Sequence, residues 1–134
     1  MKILIVDDDA RLLKVLSETL ESTGKYEVCA VGDSLQAINV ARNFLPDIAI
    51  LDIQMPGISG REIALQLRQN VLTRNVVVVF LTSLLRKKGQ TLKKDVDGCQ
   101  VLGKPATLDE IKQAIDGAIE HRNKNKVCTP NNIP

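Results

Sequence analysis

A chain of 134 residues, 44% hydrophobic and 25% charged, is long enough to bury a core without disulfide or metal staples and has the composition of one ordinary soluble globular domain. No apolar run approaches the roughly 20 residues of a transmembrane helix, and the apolar stretch behind Met1 and Lys2 is too short for a signal peptide, so a cytoplasmic domain with no membrane partner is expected. The net charge of +2, with two phenylalanines, one tyrosine and no tryptophan, leaves little for base stacking and argues against direct binding of nucleic acid.

The three cysteines, Cys29, Cys99 and Cys128, are odd in number, far apart and without metal-ligand spacing, which reads as core or surface thiols in a reducing compartment. Charge is unevenly laid out: residues 1–60 hold nine acids and five bases, residues 61–134 seven acids and thirteen bases. The early acids are therefore candidates for a site, and the late bases for a solvated face.

In chain order, residues 2–6 read as a β-branched first strand that runs straight into Asp7, Asp8 and Asp9. From Ala10, Leu12, Leu13, Leu16 and Leu20 recur at helical spacing, and Gly24 should end that helix. Asp8 or Asp9 can cap its start; one acid suffices for a cap, so three leave a surplus. Residues 26–31 read as a second strand. Asp33 then caps a helix with Leu35, Ile38, Ala41, Arg42 and Leu45 on its face, closed by Pro46. Ile48, Ala49, Ile50 and Leu51 form an unalternating apolar run, as in a strand covered on both faces, and it ends in Asp52.

A loop with Gly57 and Gly60 leads to a helix that points Ile63, Ala64 and Leu67 inward, followed by a polar break over residues 70–75. Residues 76–81 are the most strand-like segment and end in Thr82 and Ser83. Residues 86–97 are predicted as a helix, weakly amphipathic and rich in bases. Val101 and Leu102 belong to a short fifth strand, followed by Gly103, Lys104 and Pro105. Thr107 and Glu110 form a capping box for a last helix that buries Leu108, Ile111, Ala114, Ile115, Ala118 and Ile119. The domain is thus expected over residues 1–121, with a polar tail over 122–134 that is disordered or a linker cut short.

Five successive β-α units argue for an α/β fold, a doubly wound parallel sheet with helices on both faces. Ligands bind such sheets at the carboxyl edge, where Asp7, Asp8, Asp52, Thr82 and Lys104 all fall. Clustered carboxylates repel, by roughly 4 kcal/mol for a pair 4 Å apart at an effective dielectric of ~20. Lys104 supplies one compensating charge, and a hard divalent cation such as Mg²⁺ suits a site of carboxylates, waters and phosphate oxygens. A carboxylate, a hydroxyl, an ammonium and a metal site together suit phosphoryl transfer, with one carboxylate as nucleophile.

On these residues the chain resembles the receiver domain of two-component response regulators. The resemblance rests on Asp7-Asp8 after the first strand, Asp52 with Met55-Pro56 and Gly60 behind it, Thr82 after the fourth strand and Lys104-Pro105 after the fifth. It implies a flavodoxin-like strand order 2-1-3-4-5 and a phosphoacceptor role for Asp52. It further implies Asp8 as a direct Mg²⁺ ligand, Asp7 as a ligand through water, and Asp52 and the Gln54 backbone carbonyl as the other protein ligands. Thr82 then bonds a phosphoryl oxygen, and Lys104 pairs with Asp52 and afterwards with the phosphoryl group. The implied donor is a phosphohistidine on a sensor histidine kinase or histidine phosphotransfer protein, and a second copy of the chain, as a homodimer, is a further candidate partner. The chain is then no enzyme for outside substrates, catalysing only its own phosphorylation and dephosphorylation. A cis Lys104–Pro105 bond is also expected.

Two features depart from the family: Val101 stands where a tyrosine or phenylalanine is usual, and Ala106 where a phenylalanine is common. Signalling is therefore expected through movement of residues 83–97 rather than through an aromatic switch. Competing readings are weaker. An aspartate-nucleophile phosphatase wants a second acid two residues after Asp52, where Gln54 stands. A binding-only pseudo-receiver predicts lost site residues, and all five are present. A dinucleotide-binding fold lacks Gly-x-Gly-x-x-Gly after the first strand.

Overall fold

The computed structural model describes residues 1–83, 95–96 and 99–125. Five parallel strands, β1 (Lys2–Val6), β2 (Glu27–Val31), β3 (Ile48–Asp52), β4 (Val77–Thr82) and β6 (Cys99–Gly103), lie in the order β2-β1-β3-β4-β6. This is the expected 2-1-3-4-5 arrangement, counted over the parallel strands. The two-residue β5 (Asp95–Val96) pairs antiparallel with the outer edge of β6. Asp95 and Val96 are therefore strand, not part of the helix predicted over 86–97; pairing with Gln100 and Cys99 overrides a weak local pattern. The remainder of that predicted helix, residues 86–94 and 97, lies outside the described residues.

The unalternating apolar strands are explained by two cores, one on each side of the sheet. Successive residues of a strand point to opposite faces. Ile3, Ile5, Ile48, Ile50, Val77 and Val79 thus meet α1 (Ala10–Glu21) and α4 (Leu108–Asn125) on one side. Leu4, Val6, Ala49, Leu51, Val78, Phe80 and Val101 meet α2 (Ala37–Phe44) and α3 (Gly60–Gln69) on the other. Val101 is buried and stands in register with Phe80.

Caps fix where the helices begin. Asp9 caps α1 by accepting from the Arg11 and Leu12 amides at 3.0 and 3.2 Å. Ser59 caps α3 through the Glu62 amide, and the predicted Thr107–Glu110 box is formed reciprocally, at 2.8 and 3.1 Å. One predicted helix face is corrected. Asp33 caps a 3₁₀ turn, Ser34–Gln36, and α2 proper begins only at Ala37. That tighter turn rotates the helix, so α2 buries Ala37 and Ala41 while Leu35 and Leu45 stay exposed. At the other end of the chain α4 continues through Asn125, four residues past His121. The expectation of unpaired thiols holds for Cys29, which is free, and fails for buried Cys99, which is disulfide-bonded. Among the described residues no helix is long and apolar enough to cross a membrane.

Candidate functional site

The carboxyl ends of β1, β3, β4 and β6 deliver four of the five predicted site residues to one edge, and the turn into α1 adds Asp8. Asp7 follows β1 directly, and its amide donates to the Val31 carbonyl at 3.1 Å, so the pairing of β1 with β2 carries one residue past the strand. Its Oδ1 accepts from the Asp9 amide at 2.9 Å, an Asx turn that bends the chain into α1. Asp9 is occupied as the α1 cap, which separates it from the other two acids. Asp52 closes β3 and Thr82 closes β4, both buried. The Lys104 amide donates to the Thr82 carbonyl at 2.8 Å, extending the β4–β6 register by one residue. The Lys104–Pro105 peptide is cis, as expected.

Oxygen atoms of Asp7, Asp8 and Asp52 all lie within 4.8 Å of one another. Asp7 is 1% and Asp52 5% exposed, so little water screens them; Asp8 is exposed. Lys104 Nζ lies 2.7 Å from Asp7 Oδ2 and 3.3 Å from Asp52 Oδ2. The lysine therefore bridges the two buried acids and sits closer to Asp7. Burial, and next the charge of Asp7, push the Asp52 carboxyl above the ordinary aspartate range against the opposing pull of Lys104 and the Gln54 amide. For Lys104, burial acts to lower the ammonium's value, but hydrogen bonds and charge from Asp7 and Asp52 together outweigh it and hold the group above the ordinary lysine range. Two carboxylates and one ammonium leave the buried site with excess negative charge. A donor set made only of carboxylate oxygens suits a hard divalent cation, and the cluster can coordinate one.

The loop after Asp52 is held close to the strand. The Gln54 backbone helps to favour the charged form of the Asp52 carboxyl, and the Gly60 amide donates to the Ile53 carbonyl at 3.0 Å. A Cβ on Gly60 would lie 2.2 Å from the Asp52 carbonyl oxygen, so only glycine lets α3 start this close to the end of β3. Ile53, Gln54, Met55, Pro56, Ser59 and Arg61 line an open groove of about 640 Å³ along this loop. Ser34 joins the same loop from the other side. Nothing in the sequence singled it out, because a serine between Asp33 and Leu35 reads as an ordinary turn residue.

Residues 3–116 match the response regulator receiver domain family. The chain belongs to that family. It is 36% identical over 115 residues to the sensor histidine kinase RcsC of Salmonella typhi, a match that covers 86% of this chain and 12% of that protein. The chain thus spans only a small part of the curated relatives it matches at that level. It is 31% identical over 114 residues to sporulation initiation phosphotransferase F of Bacillus subtilis, covering 85% of this chain and 90% of that one. Among solved structures, a response regulator receiver domain protein from Clostridium thermocellum superposes with a TM-score of 0.72 at 25% identity, over 92% of this chain and 97% of that chain. A chain of the complex of histidine kinase ThkA with response regulator protein TrrA gives 0.72 at 27% identity, over 88% and 97%. The receiver domain therefore has the fold and the acidic cluster together.

Proposed function

We propose that this receiver domain, over residues 1–121, is a cytoplasmic phosphoacceptor of two-component signal transduction that takes a phosphoryl group onto Asp52 and changes its partner contacts. The observation that carries this reading is the meeting of Asp7, Asp8 and Asp52 within 4.8 Å, with Lys104 reaching Asp52 at 3.3 Å. The donor is a phosphohistidine on a sensor histidine kinase or a histidine phosphotransfer protein. An Asp52 carboxylate oxygen attacks phosphorus; the new P–O bond forms as the P–N bond breaks, and the imidazole nitrogen keeps the electron pair.

Asp8, Asp52, Asp7 through a water, and the Gln54 carbonyl would hold Mg²⁺, which would supply charge neutralisation on the equatorial phosphoryl oxygens. The Thr82 hydroxyl donates to one of those oxygens. Lys104 starts on Asp7 and Asp52 and carries its charge to the phosphoryl group as the Asp52 carboxylate is esterified. Water later cleaves the acyl phosphate, so the only turnover is of the domain's own modification. Incubation with acetyl phosphate and Mg²⁺ followed by intact-mass measurement tests the assignment. One phosphoryl adduct is expected on the wild type and none on Asp52→Asn; an adduct that persists in the variant refutes Asp52 as acceptor.

A further inference from the structure

The connection between β2 and α2 touches both parts of the acidic site, although it contributes no carboxylate to it. At its start, the Val31 carbonyl accepts from the Asp7 amide. Three residues later Ser34 is only 3% exposed, and its hydroxyl makes two hydrogen bonds across the molecule. It donates to the Pro56 carbonyl at 2.7 Å and accepts from the Ile58 amide at 3.1 Å. Both partners lie in the loop after Asp52, on either side of Gly57.

Gly57 has φ +93°, a left-handed conformation that side chains rarely adopt, and a Cβ there would meet Ser34 Oγ at 2.6 Å. Hydroxyl and glycine therefore fit each other: the space that a side chain at 57 needs is occupied by the oxygen that binds 56 and 58. Pro56 has no amide to offer and Gly57 has no side chain to restrict it, so the turn at 56–58 gains little restraint from its own residues beyond the proline ring. Ser34 supplies that restraint from outside. Two residues before Pro56 stands Gln54, which follows Asp52 by two residues and lines the groove along the loop.

We propose that Ser34 is a positioning residue for the acidic site: its hydroxyl sets the 54–58 loop so that the Gln54 main-chain carbonyl is presented to a cation held by the acidic cluster. This rests on the metal-dependent receiver reading above. Outer groups that orient metal ligands typically change metal affinity or activity by about 10- to 100-fold when removed.

The test measures Mg²⁺ binding to the full chain by titration calorimetry, and Asp52 phosphorylation by acetyl phosphate at low and saturating Mg²⁺. Ser34→Ala is expected to weaken Mg²⁺ about tenfold. At saturating Mg²⁺ its rate should return to within about twofold of the wild type, the split between binding and chemistry that loose packing alone would not produce. Ser34→Thr keeps the hydroxyl and should restore the affinity. Ser34→Cys fills the space with a poor hydrogen-bonding group; it should also bind Mg²⁺ weakly, and it keeps the test open if the alanine chain does not fold. Wild-type affinity in the alanine or cysteine variant, with Asp52 still phosphorylated, overturns the role of Ser34 alone. A wild-type chain that binds no Mg²⁺ and gains no phosphoryl group overturns the receiver reading, and the role of Ser34 with it.

Discussion

The two ends of the sheet treat polar groups in opposite ways. At the carboxyl end, Asp7, Asp52 and Thr82 are buried and Lys104 is shared between two acids, which leaves more negative charge than positive. At the amino end exposed, half-buried and buried polar groups alike find neutral backbone partners nearby. The Asp47 main chain and side chain bond the Lys2 amide, the Lys2 carbonyl and the Val77 amide at 2.8 to 3.0 Å. The Thr73 hydroxyl, fully buried, donates to the Leu67 carbonyl at 2.8 Å. Arg68, pushed down to about 10 by burial, donates to the Arg74 and Val76 carbonyls and remains charged at neutral pH. One end is satisfied for stability, and the other is left electrostatically frustrated for a ligand.

Two substitutions should break this contrast from opposite sides. Gly60→Ala forces a Cβ against the backbone of Asp52, where neither side can give, so it should destabilise by about 3 kcal/mol. It should also slow acetyl phosphate labelling, since a displacement of about 1 Å at reacting groups costs on the order of 100-fold. Urea unfolding and intact mass read the two effects, and a stable, fully active Gly60→Ala would show that α3 can shift freely. Thr73→Val, at the amino end, removes a buried hydroxyl donor and should cost about 1 to 2 kcal/mol while leaving the labelling rate unchanged. A loss of rate in that variant would mean that the two ends are coupled.

The site was more legible than the scaffold details around it. Asp7, Asp52, Thr82 and Lys104 could be placed together from sequence because each follows an apolar run, and parallel strands put all such ends on one edge. The two-core sheet was legible for the same reason. What escaped depends on groups far apart in the chain or on small changes of local geometry. The 3₁₀ turn at Ser34–Gln36 shifts the face of α2 without leaving a mark in its apolar spacing. The pairing of Asp95 and Val96 with Gln100 and Cys99 is a strand contact that the weak apolar pattern there does not announce. Ser34 meets its partners 22 and 24 residues away, and the closer approach of Lys104 to Asp7 than to Asp52 is a matter of tenths of an ångström.

If the carboxyl end is frustrated, relieving it should stabilise the fold and abolish its chemistry. Asp52→Asn keeps Lys104 paired with Asp7 at 2.7 Å and removes a buried charge, which should raise stability at pH 7 by about 1 kcal/mol in metal-free buffer. The pH dependence has a definite sign. Because the folded-state carboxyl lies above the ordinary aspartate value of 3.8, the folded chain holds the Asp52 proton more tightly than the unfolded chain. Stability therefore falls as pH rises through the folded-state value, and the penalty is complete above it. The gain from Asp52→Asn should accordingly be largest above the folded-state value and fade as pH falls below it, which urea midpoints at several pH values will read. A gain that does not change with pH would place its origin in packing rather than charge.

The amino end should allow improvement without loss. Leu45 caps α2 in a left-handed conformation, φ 53°, and is 49% exposed. A non-glycine residue there carries strain of about 1 to 2 kcal/mol, part of which is returned by contacts of the leucine side chain and by the smaller backbone entropy loss of a residue with a Cβ. Leu45→Gly should thus raise stability by only about 0.5 kcal/mol, the smallest effect considered. Acetyl phosphate labelling of Asp52 should be unaltered. Stability and activity would then be separable at the amino end and opposed at the carboxyl end. A clear loss of stability in Leu45→Gly would instead show that the half-exposed leucine contributes more packing than its conformation costs.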